Sequence, residues 1–170
     1  IINEYLDEVF PEPSLLPKEP VNRAQARIWI DFANTRFIWA YSNLLRSPDP
    51  QQQKAAAQEL YSQLEFIEKE GLEKLSGEGS YWFGNSISLV DLTFYPWFER
   101  WSALEHYRGF GLPPEFTRLQ QWRKAVSQRE SVKAIANPTE YYIQRYARFA
   151  APIAKKVSDE LSVAGKLTLE

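Results

Sequence analysis

"NSISLVDLTFYPWFERW" (Asn85–Trp101) decides how the rest of this chain is read. Ser88 stands three residues before Asp91, and the apolar residues that follow are spaced for a helix rather than a strand. The Ser88 hydroxyl can accept from the Asp91 backbone N–H while the Asp91 carboxylate accepts from the Ser88 N–H, a capping box. Ile87 and Leu92 occupy the hydrophobic-staple positions around it. Such a cap is worth about 0.5–2 kcal/mol. Pro96 falls inside the helix, where it removes the bond to Leu92 and bends the axis. On a regular helix Leu89, Thr93, Trp97, Arg100 and Leu104 share one arc, which sets Arg100 where an apolar residue is expected.

Working outward, the chain has 170 residues, 44% of them hydrophobic, enough to bury one sizeable core. A formal charge of −2 supplies no field for nucleic acid or an anionic membrane. No run approaches the roughly 18 apolar residues of a membrane helix. Cysteine is absent and His106 is the only histidine, so thiolate chemistry, a His-rich metal site and a Ser-His-Asp triad are not expected from these residues. No metal is expected, and the reducing cytoplasm is the default location.

Prolines and glycines punctuate periods of three and four throughout, so the fold class is an all-α bundle of roughly seven helices. An apolar stripe of Ile1, Ile2, Tyr5, Leu6 and Val9 ends at Pro11. It begins with no capping residue, as expected of a helix that continues from an upstream segment. A helix from Pro20 to Leu45 is stopped by Ser47–Pro50, and another runs to the Gly77/Gly79 loop. Shorter helices follow, and a last one starts near Thr139 with a kink expected at Pro152. In the second helix Trp29, Phe32, Ala33, Arg36 and Ala40 share a face, which again sets a cation, Arg36, among rings. A snorkelling side chain or an intra-bundle ion pair accounts for either arginine alone. Two on aromatic faces of different helices point to an anion-tolerant, ring-lined cleft. Tyr142, Tyr146 and Phe149 add a stripe in the last helix; core packing accounts for Tyr146, while Tyr142 and Phe149 stand open between core and ligand wall.

"GNSISLVDLTFYPWFER" closely resembles the capping-box helix of glutathione transferases, the omega class above all. "INEYLDEVFPEPSLLPKEPVNRAQAR" resembles the passage from the last helix of that family's thioredoxin-like domain into its helical domain. The resemblance implies a C-terminal helical domain at residues 20–163. Residues 1–10 would be a remnant of the thioredoxin-like domain, 11–19 a linker and 164–170 a tail. It implies further that glutathione and a reactive cysteine are held upstream of Ile1, so that this chain alone is inactive. Carried over by position, Trp97, Arg100, Tyr142 and Phe149 would line the site of a hydrophobic or aromatic electrophile, although Tyr142 replaces the more usual tryptophan. Phe32 and Arg36 join them from helix geometry alone. Ser88 and Asp91 are structural. On this reading the rings form an apolar wall, Arg100 receives anionic groups and Pro96 aims the helix end. The whole protein would be a homodimeric, omega-like thiol transferase or dehydroascorbate reductase. A non-catalytic scaffold and a small-ligand carrier are the alternatives.

Overall fold

The computed structural model of the protein describes residues 1–150. Helices form at α1 (Ile2–Val9), α2 (Pro20–Phe32), α3 (Ile38–Arg46), α4 (Pro50–Phe66) and α5 (Glu73–Leu75). They continue with α6 (Leu89–Glu99), α7 (Trp101–Arg108), α8 (Thr117–Ser127), α9 (Glu130–Lys133) and α10 (Thr139–Ala150). Among the described residues no strand forms, and Tyr81 and Gly84 make one isolated bridge. The all-α expectation therefore holds. The expected kink at Pro152, the tail 164–170 and the end of the helical domain at 163 lie outside the described residues.

Two of the rods differ from their expected form. A π turn at Ala33–Phe37 joins α2 to α3, and another at Ile67–Leu72 joins α4 to α5. A π turn holds one residue more than an α turn and rotates everything after it. In the first, Ala33 and Phe37 are buried while Arg36 turns outward and is exposed. In the second, Ile67, Glu68, Gly71 and Leu72 all face inward. Gly71 lets two indoles close on the helix: a Cβ there would lie 2.8 Å from Trp82 Cζ2 and 3.2 Å from Trp29 Cη2. The "SPDP" stretch both stops and starts a helix, since Pro50 opens α4 and Asp49 Oδ1 accepts from Gln51 and Gln52 N–H at 2.9 and 3.0 Å.

Most rings of Asn85–Trp101 belong to the core rather than to a wall. Phe94 stacks on Trp82 at 4.6 Å, Phe98 on Phe37 at 5.3 Å and on Trp101 at 5.1 Å. Trp122 meets both Trp82 and Phe98 edge-on. Phe94, Phe98, Trp101, Trp82 and Trp122 are each 0–1% exposed. Offset and edge-on geometries of this kind add stabilisation beyond area burial. Of the α6 rings only Trp97 stays half-buried.

Two carboxylates pin this core. The capping box of Ser88 and Asp91 forms. Asp91 Oδ2 accepts from the Ser88 N–H and hydroxyl, each at 2.7 Å, and Oδ1 accepts from Trp82 N at 2.9 Å and Trp122 Nε1 at 2.6 Å. Burial raises the Asp91 pKa above the usual carboxylate value, and the four donors oppose that shift. Glu68 does for α8 what no local residue does: Oε1 accepts from Arg118 N at 2.8 Å and Oε2 from Leu119 N at 2.6 Å. These are orphan donors of the first helical turn, where negative charge is also favoured by the helix dipole.

The first helix is the exception to good packing. None of its residues is buried, and Ile2, Tyr5, Leu6, Val9 and Phe10 are exposed. Arg27 pairs with Glu4 at 2.9 Å and ties it to α2. Asp7 accepts from Ser14 Oγ and Leu15 N, and Leu15 O accepts from Leu89 N at 2.8 Å, which anchors the connecting segment at the start of α6.

Candidate functional site

The run of helix from Leu89 breaks at Arg100, whose backbone (φ −88°, ψ 12°) ends α6 and starts α7. That break is one helix more than expected, and Arg100 holds it together. Its Nε donates to Pro96 O at 2.6 Å, its Nη1 donates to the Tyr146 hydroxyl at 2.9 Å, and its carbonyl accepts from the Tyr41 hydroxyl at 3.0 Å. The guanidinium lies 4.7 Å over the Trp97 ring. No carboxylate pairs with it among the described residues. Tyr41 meets Trp97 edge-on at 5.3 Å. Burial pushes its phenol pKa well up, with Tyr146 adding to the shift and Arg100 opposing it.

The ribbon continues along α10. Tyr146 contacts Phe149 at 6.0 Å, and Phe149 lies under Arg46 at 5.0 Å and Arg148 at 4.6 Å. Trp97, Arg100 and Phe149 therefore fall on one continuous strip of rings and guanidinium groups. Tyr146, assigned to core packing by its spacing, packs against the core and also meets Arg100. Its spacing of four from Tyr142 and three from Phe149 carried the signal.

Tyr142 departs from the expected wall. It is buried one turn before Tyr146, within hydrogen-bond range of Asn137 Nδ2 at 3.4 Å. Burial raises its pKa, the Asn137 bond opposes, and the neighbouring Glu99 carboxylate raises it further.

Phe32 and Arg36 lie elsewhere. Both line a groove of about 720 Å³ between α2 and α4, with Ile28, Trp29, Phe66 and Glu70. Trp97, Arg100, Tyr142 and Phe149 are not among its lining residues. Phe32 and Arg36 do share this groove with Trp29, as their spacing implies, but α2 sets that face beside α4 and apart from Trp97 and Arg100. Among the described residues Arg36 has no ring beneath it. Ile28 and Phe66 remain 66% and 45% exposed on the groove floor.

The architecture has known counterparts. Residues 50–125 match the family description "Glutathione S-transferase, C-terminal domain". Over 162 residues the chain is 32% identical to glutathione S-transferase U25 of Arabidopsis thaliana, covering 93% of this chain and 67% of that relative. The chain belongs to the glutathione S-transferase family. Its fold is shared with a Tau class glutathione S-transferase from mango (TM-score 0.78, 24% identity, 87% of this chain and 68% of that one). Glutathione transferase Omega 3C of Trametes versicolor is similarly close (TM-score 0.73, 29% identity, 89% and 64%). This glutathione S-transferase chain thus spans about two thirds of the length of these relatives. Among its described residues no helix is long and apolar enough to cross a membrane, and no three potential ligands cluster for a metal ion.

Proposed function

We propose that this chain is the helical portion of a glutathione-dependent transferase and supplies the wall against which the second substrate binds. The observation that carries the reading is Arg100: a guanidinium stacked on half-buried Trp97, bonded to Tyr146, and without a carboxylate partner among the described residues. A hydrophobic or aromatic electrophile meets Trp97 and Phe149, and its anionic groups meet Arg100. Tyr142 backs this wall from one helical turn away.

Glutathione is the co-substrate, bound by a thioredoxin-like domain of which α1 is the last helix. The bare apolar face of α1 supports this, because a helix with that stripe is stable only against another surface. The residues in hand include no cysteine, so the thiol of an omega-like reaction is contributed elsewhere and this chain is inactive alone. Omega-like reduction of mixed disulfides or dehydroascorbate is the activity we assign to the whole protein, supported by the 29% identity to Omega 3C. We place it in the cytoplasm. The test is the rate of glutathione-dependent reduction of hydroxyethyl disulfide beside that of chlorodinitrobenzene conjugation. Faster conjugation with no reduction would overturn the omega assignment.

Arg100→Met keeps an aliphatic stem over Trp97 while removing the charge. We expect it to raise KM about tenfold for an anionic co-substrate and to leave an uncharged one nearly unchanged, as loss of one charge-assisted bond implies. An equal loss for both would reduce Arg100 to the residue that holds α10 in place.

The α2–α4 groove is the face we assign to a homodimer. Its apolar floor and rim of Asp31, Arg36 and Glu70, of both signs, suit contact with the same surface of a second copy. Phe66→Glu should halve the mass in sedimentation equilibrium, and an unchanged mass would move the interface elsewhere.

A further inference from the structure

Where α6 breaks, the hydrogen bonds of Arg100 fix its guanidinium but do not exhaust it. The Arg100 backbone N–H turns to Phe98 O, and its own Nε takes up the Pro96 carbonyl at 2.6 Å. That ties the side chain to its own helix at one end. At the other, Nη1 donates to the Tyr146 hydroxyl at 2.9 Å and ties it to α10. A guanidinium carries five N–H donors, so three are left without a partner among the described residues.

Tyr146 is left with a donor as well. Its oxygen accepts from Arg100, but its own O–H meets no acceptor among the described residues. A phenol oxygen that accepts from a cation is polarised, and its proton becomes a stronger donor. Both side chains are half-buried, and a partly desolvated cation is costly without a counter-ion. Glu99, next to Arg100 in the chain, does not supply one: the Tyr142 hydroxyl bonds to it, and it makes no ion pair with Arg100. The two unspent donor groups therefore stand side by side, joined by their own hydrogen bond.

We infer that Tyr146 is a further substrate-binding residue, whose hydroxyl and the Arg100 guanidinium together receive the carboxylate of an aromatic acid. One carboxylate oxygen takes a guanidinium N–H and the other takes the phenolic O–H, two charge-assisted bonds in place of one. The aromatic body lies against Trp97, which the guanidinium overlies at 4.7 Å, and Phe149, 6.0 Å from the Tyr146 ring. The inference rests on the reading of this strip as the wall for the second substrate. It adds the class of that substrate and the residue that selects for it beside Arg100.

Calorimetric titration of this chain with 1-naphthoate, and with 1-naphthamide as its uncharged counterpart, tests the inference without turnover. Naphthoate should bind saturably and about tenfold more tightly, a difference of about 1.4 kcal/mol. Tyr146→Phe keeps the ring and removes the hydroxyl; it should weaken naphthoate about tenfold and naphthamide far less. A hydroxyl that only steered Arg100 would give the same result, so Tyr146→Phe is repeated in the Arg100→Met background. There it should still weaken naphthoate about threefold, as loss of one direct bond implies. No effect in that background would make Tyr146 a positioning residue for Arg100 and overturn the inference. Equal affinity of the unaltered chain for acid and amide, or binding of neither, would overturn it too and needs no variant to fold. The disulfide and chlorodinitrobenzene rates of the whole protein are read separately, so failure of the transferase assignment is told apart from failure of this one.

Discussion

Asp91→Ala should lower the unfolding free energy of this chain by about 3–5 kcal/mol, well beyond the loss of a helix cap. The carboxylate is 0% exposed and accepts four hydrogen bonds. Only the two from Ser88 belong to the cap. The other two fix Trp82 and Trp122, which meet edge-on at 6.0 Å in the middle of the core. Removing the acceptor leaves the Ser88 and Trp82 backbone N–H groups and the Trp122 indole N–H buried and unpaired. Each such donor costs about 1–3 kcal/mol, less whatever water or relaxation restores. Asp91→Asn separates the contributions. It keeps one acceptor oxygen for the two tryptophans but turns an NH₂ toward the Ser88 N–H. Its loss should therefore fall between those of wild type and alanine. Urea unfolding followed by circular dichroism checks both variants. A loss for Asp91→Ala of about 1 kcal/mol would mean that the tryptophan bonds contribute nothing beyond the cap.

Glu68→Ala should cost about 2–4 kcal/mol, and Glu68→Gln about half as much. Glu68 is 3% exposed and bonds to the Arg118 and Leu119 N–H groups at the start of α8. No side chain at Phe116, the residue before α8, caps that end. Arg118 also donates to Ser76 Oγ and Gly79 O, so the same turn anchors the loop after α5. Loss of the cap should fray α8 first. Hydrogen exchange at Arg118 and Leu119 should speed up more than exchange at Trp122 or Val126. Uniform acceleration along α8 would show that Glu68 acts on global stability alone.

These two carboxylates divide what one strand of letters can disclose. Ser88 and Asp91 are three residues apart, so their box is local and was legible, as was the helical period around it. Glu68 and Leu119 are 51 residues apart. Nothing in the run around Phe116 announces a cap supplied from another helix. The same contrast runs through the candidate site. Arg100 was legible as a misplaced cation because the arc of α6 depends only on local repeat. Arg36 shares its groove with Trp29 and Phe32 as local spacing implies, but spacing does not tell that this face lies apart from Trp97 and Arg100. Tyr146 found its role only when α10 packed near Arg100.

By itself, then, the order of residues determined the all-α class, the capping box, the breaks at Ser47–Pro50 and the Gly77/Gly79 loop, the anomaly at Arg100 and the resemblance to a family. Each rests on spacing within a turn or two of helix, or on a motif long enough to recognise. Tertiary structure alone decided that most rings of Asn85–Trp101 are core and that Asp91 serves two tryptophans. It also decided that Phe32 and Arg36 line a groove apart from Trp97 and Arg100. The reason is physical: a side chain's burial and partners depend on which helix packs against it, and local periodicity does not carry that information.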